Sequence, residues 1–394
     1  MTPKTACCIA LLFAGLSTGH ADDGRGLKRG GNSQEVSISG TSSGAAMAMQ
    51  YAVAHSASIS GVGSIAGPGW GCAVGKVSQA INDCMCGRKP PTAKTDLARQ
   101  LSNRGDMDPL VAGKPKALQR SYVFHSAADH TVAGKSAQAN IDFLSALTGN
   151  PPVIDRGNSA DGSSAAGHGI LSPDGSDSCQ ATGVEGSYVR NCGHADNAGR
   201  LFLTLYGQGG AYDPGKRTAR IPDGEVWSFD QQTLIDEVKK GQPMLAADRH
   251  WLGFPYKSTR RANFDLAPTG YLYVPPSCRR SGSHCRIHVA LHGCKQEVKT
   301  YATTAGYNNW AEHYRVIVIY PAIRPDAPIS EEVCRLDPVP AMADSWWVEP
   351  NPNGCWDWWG YLDGSGQKNR YLTRQAPQMQ VIERIIAEAT RPLR

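Results

Sequence analysis

Gly40-Thr41-Ser42-Ser43-Gly44 sets a serine midway between two glycines, with the apolar Val36 and Ile38 just before it. An Ala- and Met-rich stretch runs from Ala45 to about Ala54. A short strand, a tight turn and a helix of small residues form the setting in which G-x-S-x-G acts as a nucleophile elbow. The glycines permit a sharp turn that lifts the hydroxyl above a sheet, and Ala45, Ala46 and Ala48 let the helix pack closely behind it. An ordinary Gly/Ser turn would need neither flank. Ser43 is adjacent, but the motif centres on Ser42. The chemistry on offer is acyl transfer, in which a serine attacks a carbonyl once a base has taken its proton.

That base must be a histidine oriented by a carboxylate, and on this kind of elbow the chain order is serine, acid, histidine. Asp129 follows a short buried strand at Tyr122 to Phe124 and suits the acid, with His125 and His130 read as strand-end or surface residues. His168, within Ala166-Gly167-His168-Gly169, lies in a later loop whose glycines can present a ring freely. Its rival His194, in Cys192-Gly193-His194, reads as part of a cysteine-pinned helix start, so His168 is preferred. His284, His288 and His292 are four apart, which on a helix would suggest a metal. Their surroundings alternate like a strand, so neither a metal nor a cofactor is expected.

The oxyanion of the intermediate needs two amides, one from the residue after the nucleophile, Ser43, and one from a loop after an earlier strand. Nothing before Ser42 can supply that strand. His292-Gly293-Cys294, directly after an apolar run ending at Leu291, can, with the Cys294 amide as the second donor. The order implies a circular permutation, with the chain opened just before the nucleophile strand.

The elements needed to position these residues are legible in outline. Ile59 to Ala66, Tyr271 to Val274, Arg286 to Leu291 and Val316 to Tyr320 read as further strands. Helices are expected over Ala198 to Leu205, Gln232 to Lys239 and roughly Arg374 to Thr390, the last with Met379, Ile382, Ile385, Ile386 and Ala389 on one face. Residues 207–265 otherwise read as polar. The expected fold class is α/β: an α/β-hydrolase fold, circularly permuted, with a mainly parallel sheet and helices on both faces. Residues 35–394 form one catalytic domain, with the nucleophile, acid and histidine in 35–206 and the oxyanion strand, Trp-rich loop and last helix in 266–394.

Lys4, the short apolar stretch Ala6 to Leu16 and the small residues Gly19 and Ala21 before Asp22 and Asp23 read as a secretory signal, 1–21, followed by a polar arm, 22–34. The product would be secreted or periplasmic, with no membrane insertion. A formal charge of +5 with no basic stripe argues against nucleic acid as a partner, and a monomer is expected. Of twelve cysteines, Cys7 and Cys8 leave with the signal, and an even set in an oxidising compartment implies disulfides. Cys278 with Cys285 and Cys179 with Cys192 bracket short segments. Cys294 with Cys355 would tie the oxyanion loop to a tryptophan loop.

The chain resembles the permuted, single-domain poly(3-hydroxybutyrate) depolymerases, secreted esterases that degrade a storage polyester. The resemblance rests on Val36 to Gly44, Asn191-Cys192-Gly193 and Gly270-Tyr271-Leu272-Tyr273-Val274-Pro275. Its strongest parts are Ala290-Leu291-His292-Gly293-Cys294-Lys295-Gln296 and Asn351 to Tyr361. Carried over, the family pattern implies Ser42, Asp129 and His168 as a triad and the amides of Ser43 and Cys294 as the oxyanion hole. Departures are Ala45 in place of a second glycine, a divergent loop around His168, and unusual 74–118 and 321–350 regions that include Trp346 and Trp347. Five of nine tryptophans, Trp346, Trp347, Trp356, Trp358 and Trp359, fall in one Pro- and Gly-rich stretch. Trp356, Trp358 and Trp359 are expected to wall a cleft for a neutral polyester or oligoester, against the plainer reading that some plug the core. The rivals are a carboxylesterase of soluble oligomers or phenolic esters, and an aromatic-platform binding protein on a degenerate hydrolase fold.

Overall fold

The fold is built around the strand β1, Val36–Thr41, buried on both faces. Its even-numbered residues Val36, Ile38 and Gly40 face one layer and Ser37, Ser39 and Thr41 the other, as the two-residue period of a strand requires. A computed structural model describes residues 27, 30–110, 118–160, 162–181, 186–242, 250–251, 254–255, 263–280, 282–324, 334, 351, 353–363 and 369–392. The expected signal, 1–21, and Trp346 and Trp347 lie outside the described residues.

Eight strands form the main sheet: β1, β2 (Ile59–Ile65), β3 (Ser121–Phe124), β4 (Val153–Asp155), β5 (Val226–Asp230), β6 (Thr269–Tyr273), β7 (Arg286–Leu291) and β8 (Val316–Tyr320). Their spatial order is β4-β3-β2-β1-β7-β8-β6-β5. Only β6 runs against its neighbours; the rest of the sheet is parallel. The chain therefore builds one half of the sheet outward from β1, then returns to the far edge and fills inward. The last helix, Pro377–Thr390, closes the circuit. Gly30 N donates to Arg391 O and Gly31 N to Ala389 O, both at 3.0 Å, so the end of that helix abuts the segment entering β1. This is the permuted α/β-hydrolase arrangement.

Helices cover both faces. On one, Ser43–Ala54, Gly134–Thr148 and the last helix pack Met47, Leu144, Met379, Ile382 and Ile385 against Ile38, Val62 and Val289. On the other, Asn197–Tyr206 and Tyr307–Tyr314 bring Leu201, Phe202 and Trp310 against Phe124, Ala290 and Val318. Each fully buried large apolar side chain contributes about 1.5–3 kcal/mol. The 207–265 region departs from expectation: it holds strand β5 as well as the helix Gln231–Gly241. As an edge strand, β5 has one neighbour and buries only Val226 and Phe229, so its sequence stays polar enough to read as loop.

Five disulfides are present among the described residues. Cys278–Cys285, Cys179–Cys192 and Cys294–Cys355 match the pairings read from the sequence. Cys72–Cys84 and Cys86–Cys334 were not anticipated as pairs. Cys86 and Cys334 are 248 residues apart, a separation that no spacing argument reaches.

Candidate active site

Ser42 occupies the turn between β1 and the helix Ser43–Ala54 with φ of 56°, a left-handed conformation for a residue with a side chain. Such a conformation costs roughly 1–3 kcal/mol and is kept where surroundings over-determine it. Here Ser42 N donates to Ile65 O at 2.9 Å and Ser42 O accepts from Ala46 N at 3.1 Å. The two motif glycines are steric requirements. A Cβ on Gly40 would come within 2.3 Å of the Gly44 backbone, and one on Gly44 within 2.2 Å of Leu291 O. The elbow is thus pressed against the end of β7.

From β7 the chain enters His292-Gly293-Cys294. A Cβ on Gly293 would lie 3.1 Å from Thr41 O and 3.2 Å from Ser42 Cβ, so this turn stands directly beside the serine. The turn is clamped from several sides. His292 Nε2 accepts from Ile323 N, its Nδ1 donates to Gly293 O, and burial lowers the imidazole to about 4, so it is neutral at pH 7. His292 O accepts from Trp356 Nε1, Lys295 N donates to Asn353 O, and Cys294 is bonded to Cys355. The Ser43 amide is the first of its helix, where no carbonyl of a preceding turn is available to it.

Asp129 and His168 meet although 39 residues separate them: His168 Nδ1 donates to Asp129 Oδ2 at 2.8 Å. Both are buried, at 5% and 7% exposure, so water competes little for the bond. Asp129 Oδ1 accepts from Thr131 N and Val132 N, fixing the carboxylate from its own loop. His125 Nε2 donates to Val132 O and lies 4.0 Å from Asp129 Oδ2, which gives this strand-end histidine a place in the surroundings of the acid. Burial alone would raise the Asp129 carboxyl. The charge and hydrogen bond of His168, with His125 and Val132 N, outweigh it and hold the group below its ordinary value.

The His168 loop is itself braced. The short strands Ile170–Leu171, Asp177–Ser178 and Val189–Asn191 form a small parallel sheet, pinned by Cys179–Cys192. Buried Arg190 donates to His168 O and Asp177 Oδ2. Tyr188, another residue at positive φ, stands edge-on to the His168 ring with centroids 6.2 Å apart. His194, by contrast, is exposed, and His288 lies in β7 between the hydroxyls of Ser37 and Ser39. Sequence reasoning gave no role to Arg190, Asp177 or His125. Arg190 and Asp177 depend on partners in neighbouring loops, and His125 on the fold of its own strand-end loop, so the only signal was nearness to a named residue.

The tryptophans require a correction. Trp356 has no exposed surface and its indole N–H is used by His292 O, so it supports the Gly293–Cys294 turn from beneath and offers no wall to a polymer. Trp358, 6% exposed, packs among Ala46, Ala73 and the Cys72–Cys84 and Cys294–Cys355 disulfides. Trp359 is half-buried, edge-on to Trp358 and 4.7 Å from the Tyr361 ring, and it alone of the three keeps substantial surface. Indole N–H groups seek partners when buried, which is why a Trp-rich loop was as able to fill the core as to line a cleft.

The permuted sheet with an elbow at its centre places the molecule among the α/β-hydrolases. No family model matches the sequence. The chain is 30% identical over 349 residues to a polyhydroxybutyrate depolymerase of Talaromyces funiculosus, covering 86% of this chain and 85% of that one. It is 26% identical over 362 residues to a poly(3-hydroxybutyrate) depolymerase of Delftia acidovorans, covering 89% of this chain but only 59% of that protein's length. Two solved structures cover 92% of this chain and 98% of their own: a PHB depolymerase complexed with an R3HB trimer, TM-score 0.63 at 27% identity, and a PHB depolymerase from Penicillium funiculosum, 0.64 at 26%. The chain belongs to the polyhydroxybutyrate depolymerase family.

Proposed function

We propose that this chain is an exported serine esterase that hydrolyses poly(3-hydroxybutyrate) or its oligomers through an acyl-enzyme. The observation that carries the mechanism is the buried 2.8 Å bond between His168 Nδ1 and Asp129 Oδ2. It commits Nδ1 as donor and leaves Nε2 as the nitrogen free to act as base. Ser42 Oγ attacks the ester carbonyl as His168 Nε2 takes its proton. The carbonyl oxygen becomes an oxyanion held by the Ser43 and Cys294 amides, in a site whose donors are already oriented. The alcohol end of the polymer leaves with the proton from His168. Water, deprotonated by the same nitrogen, then releases the hydroxy acid and restores Ser42. Asp129 keeps the imidazole oriented and stabilises its charged form.

Relatives named as polyhydroxybutyrate depolymerases over most of the chain, and a relative bound to an R3HB trimer, support the substrate. A charge-free ester chain also suits the half-buried Trp359 and Tyr361 as an apolar contact. Export is supported by the leader pattern and by the five disulfides among the described residues, a bond type that persists in oxidising compartments. Among the described residues no helix is long and apolar enough to cross a membrane. The test is clearing of a poly(3-hydroxybutyrate) film beside turnover of a short soluble ester. Both activities, lost together in Ser42→Ala, are expected. Turnover of the soluble ester with no film clearing or release from 3-hydroxybutyrate oligomers would overturn the substrate, and neither activity would overturn the enzyme.

A further inference from the structure

We infer that Gln296 is a positioning residue that sets the Gly293–Cys294 turn in register with the His168 loop. The inference rests on the esterase reading above and adds to it a residue that joins its two halves. Gln296 is 2% exposed and ends the Ala290-to-Gln296 string, where it had no assigned task. Its side-chain amide is used at both ends. Oε1 accepts the Gly293 amide, and Nε2 donates to Ser187 O at 2.7 Å, across 109 residues of sequence.

Each end reaches a different part of the site. Gly293 adjoins Ser42 Cβ and precedes Cys294, the proposed oxyanion donor. Ser187 precedes Tyr188, whose ring stands edge-on to His168. The Ser187–Tyr188 turn is in turn held by Asp177, which accepts both of its amides, and Arg190 joins Asp177 to His168 O. A continuous file of hydrogen bonds thus runs from the serine's neighbour to the base. A primary amide suits the bridging place, because it offers an acceptor and a donor on one rigid plane. Gln296 N also donates to Gly293 O at 3.4 Å, closing a turn with Lys295 at positive φ of 65°, and the side-chain bridge is the tie that carries this turn to the His168 side.

The bridge acts on the transition state, because ground-state ester contacts neither amide as strongly as the oxyanion does. A shift of about 1 Å in such donors can lower rate by about a hundredfold. The experiment compares wild type, Gln296→Leu and Gln296→Glu on a short soluble ester, with active sites counted by an alkyl fluorophosphonate. Gln296→Leu removes both bonds. Gln296→Glu keeps an acceptor for Gly293 N and exchanges the amide donor for a carboxyl, which can donate to Ser187 O only while it is protonated. Gln296→Leu is expected to lower kcat per labelled site roughly tenfold to a hundredfold with KM little changed, and to weaken an alkylboronic acid inhibitor in proportion. Gln296→Glu should fall between the two. A merely structural role would reduce the labelled fraction or Tm and leave kcat per labelled site and boronate affinity unmoved, which overturns the inference. Should Gln296→Leu not fold, the same readouts on Gln296→Glu decide it. Wild-type protein that fails to label at Ser42 would overturn the esterase reading and this inference together.

Discussion

Trp356 donates its indole N–H to the carbonyl oxygen of His292 at 3.0 Å, from a ring with no exposed surface. The bond joins the Trp-rich loop to the turn beside Ser42, so this tryptophan bears on every substrate alike. Trp356→Ala is expected to lower stability by about 3–5 kcal/mol and to reduce soluble-ester and film hydrolysis in step. Trp359→Ala should leave Tm nearly unchanged and slow film degradation roughly tenfold, with soluble-ester turnover spared. Equal effects of Trp359→Ala on both substrates would rule out its polymer contact.

Ser42→Ala should abolish ester hydrolysis by at least roughly a thousandfold with the fold retained, since a nucleophile has no substitute within its own site. Ser43→Ala should cost far less, because the group assigned to it is its backbone amide. Circular dichroism and soluble-ester turnover on both variants provide the check. Comparable losses would displace Ser42 from its role.

Asp129→Asn is expected to lower kcat by about a thousandfold or more, because the Asn amide would turn a donor toward His168 Nδ1 and impose the wrong tautomer. His168→Ala should match Ser42→Ala, and His194→Ala, at an exposed position, should be near wild type. Turnover measured on the three together decides between the histidines. A fully active His168→Ala would end that assignment.

Burial lowers His288 to about 3, and both its ring nitrogens are engaged by Ser37 and Ser39. An unfolded histidine titrates near 6.5. Between those values the unfolded chain holds a proton that the folded one does not, so this stabilisation is complete above about pH 6.5 and is lost as pH falls toward 3. His292 and His55, each lowered to about 4, act in the same direction. Asp357 and Asp363, raised by burial, oppose them. The contribution of His288 is therefore best isolated as a difference. Urea unfolding from pH 7 to pH 4 should show a shallower loss in His288→Gln than in wild type, by about one proton per molecule. Parallel profiles would contradict it.

The parts legible in the sequence are those whose signal is local. The elbow announced Ser42 because strand, glycines and small helix are consecutive, and chain order singled out Asp129 and His168, which the structure sets 2.8 Å apart. β5 was missed because an edge strand of five residues with two buried side chains has too little apolar pattern to register. Trp356 was misjudged because composition reports that indoles cluster, while only packing reports which way each one faces. The bridge from Gln296 to Ser187 was beyond reach, since a glutamine bears no mark of the carbonyl it will meet 109 residues earlier.

The adjacency of β1 and β7 has a consequence in time. These neighbours pair Val36 with Ile287 and Gly40 with Leu291, so strands about 250 residues apart share the central seam. A ribosome delivers the elbow roughly 250 residues before the Gly293–Cys294 turn. Until the late strand arrives, β1 lacks one whole side, and Ser42 has no amide turn beside it. Pairings this distant also form slowly, because the intervening chain must be gathered before they reward it. A copy in which β7 has not yet paired therefore carries Ser42 without the turn that stands beside it in the folded chain.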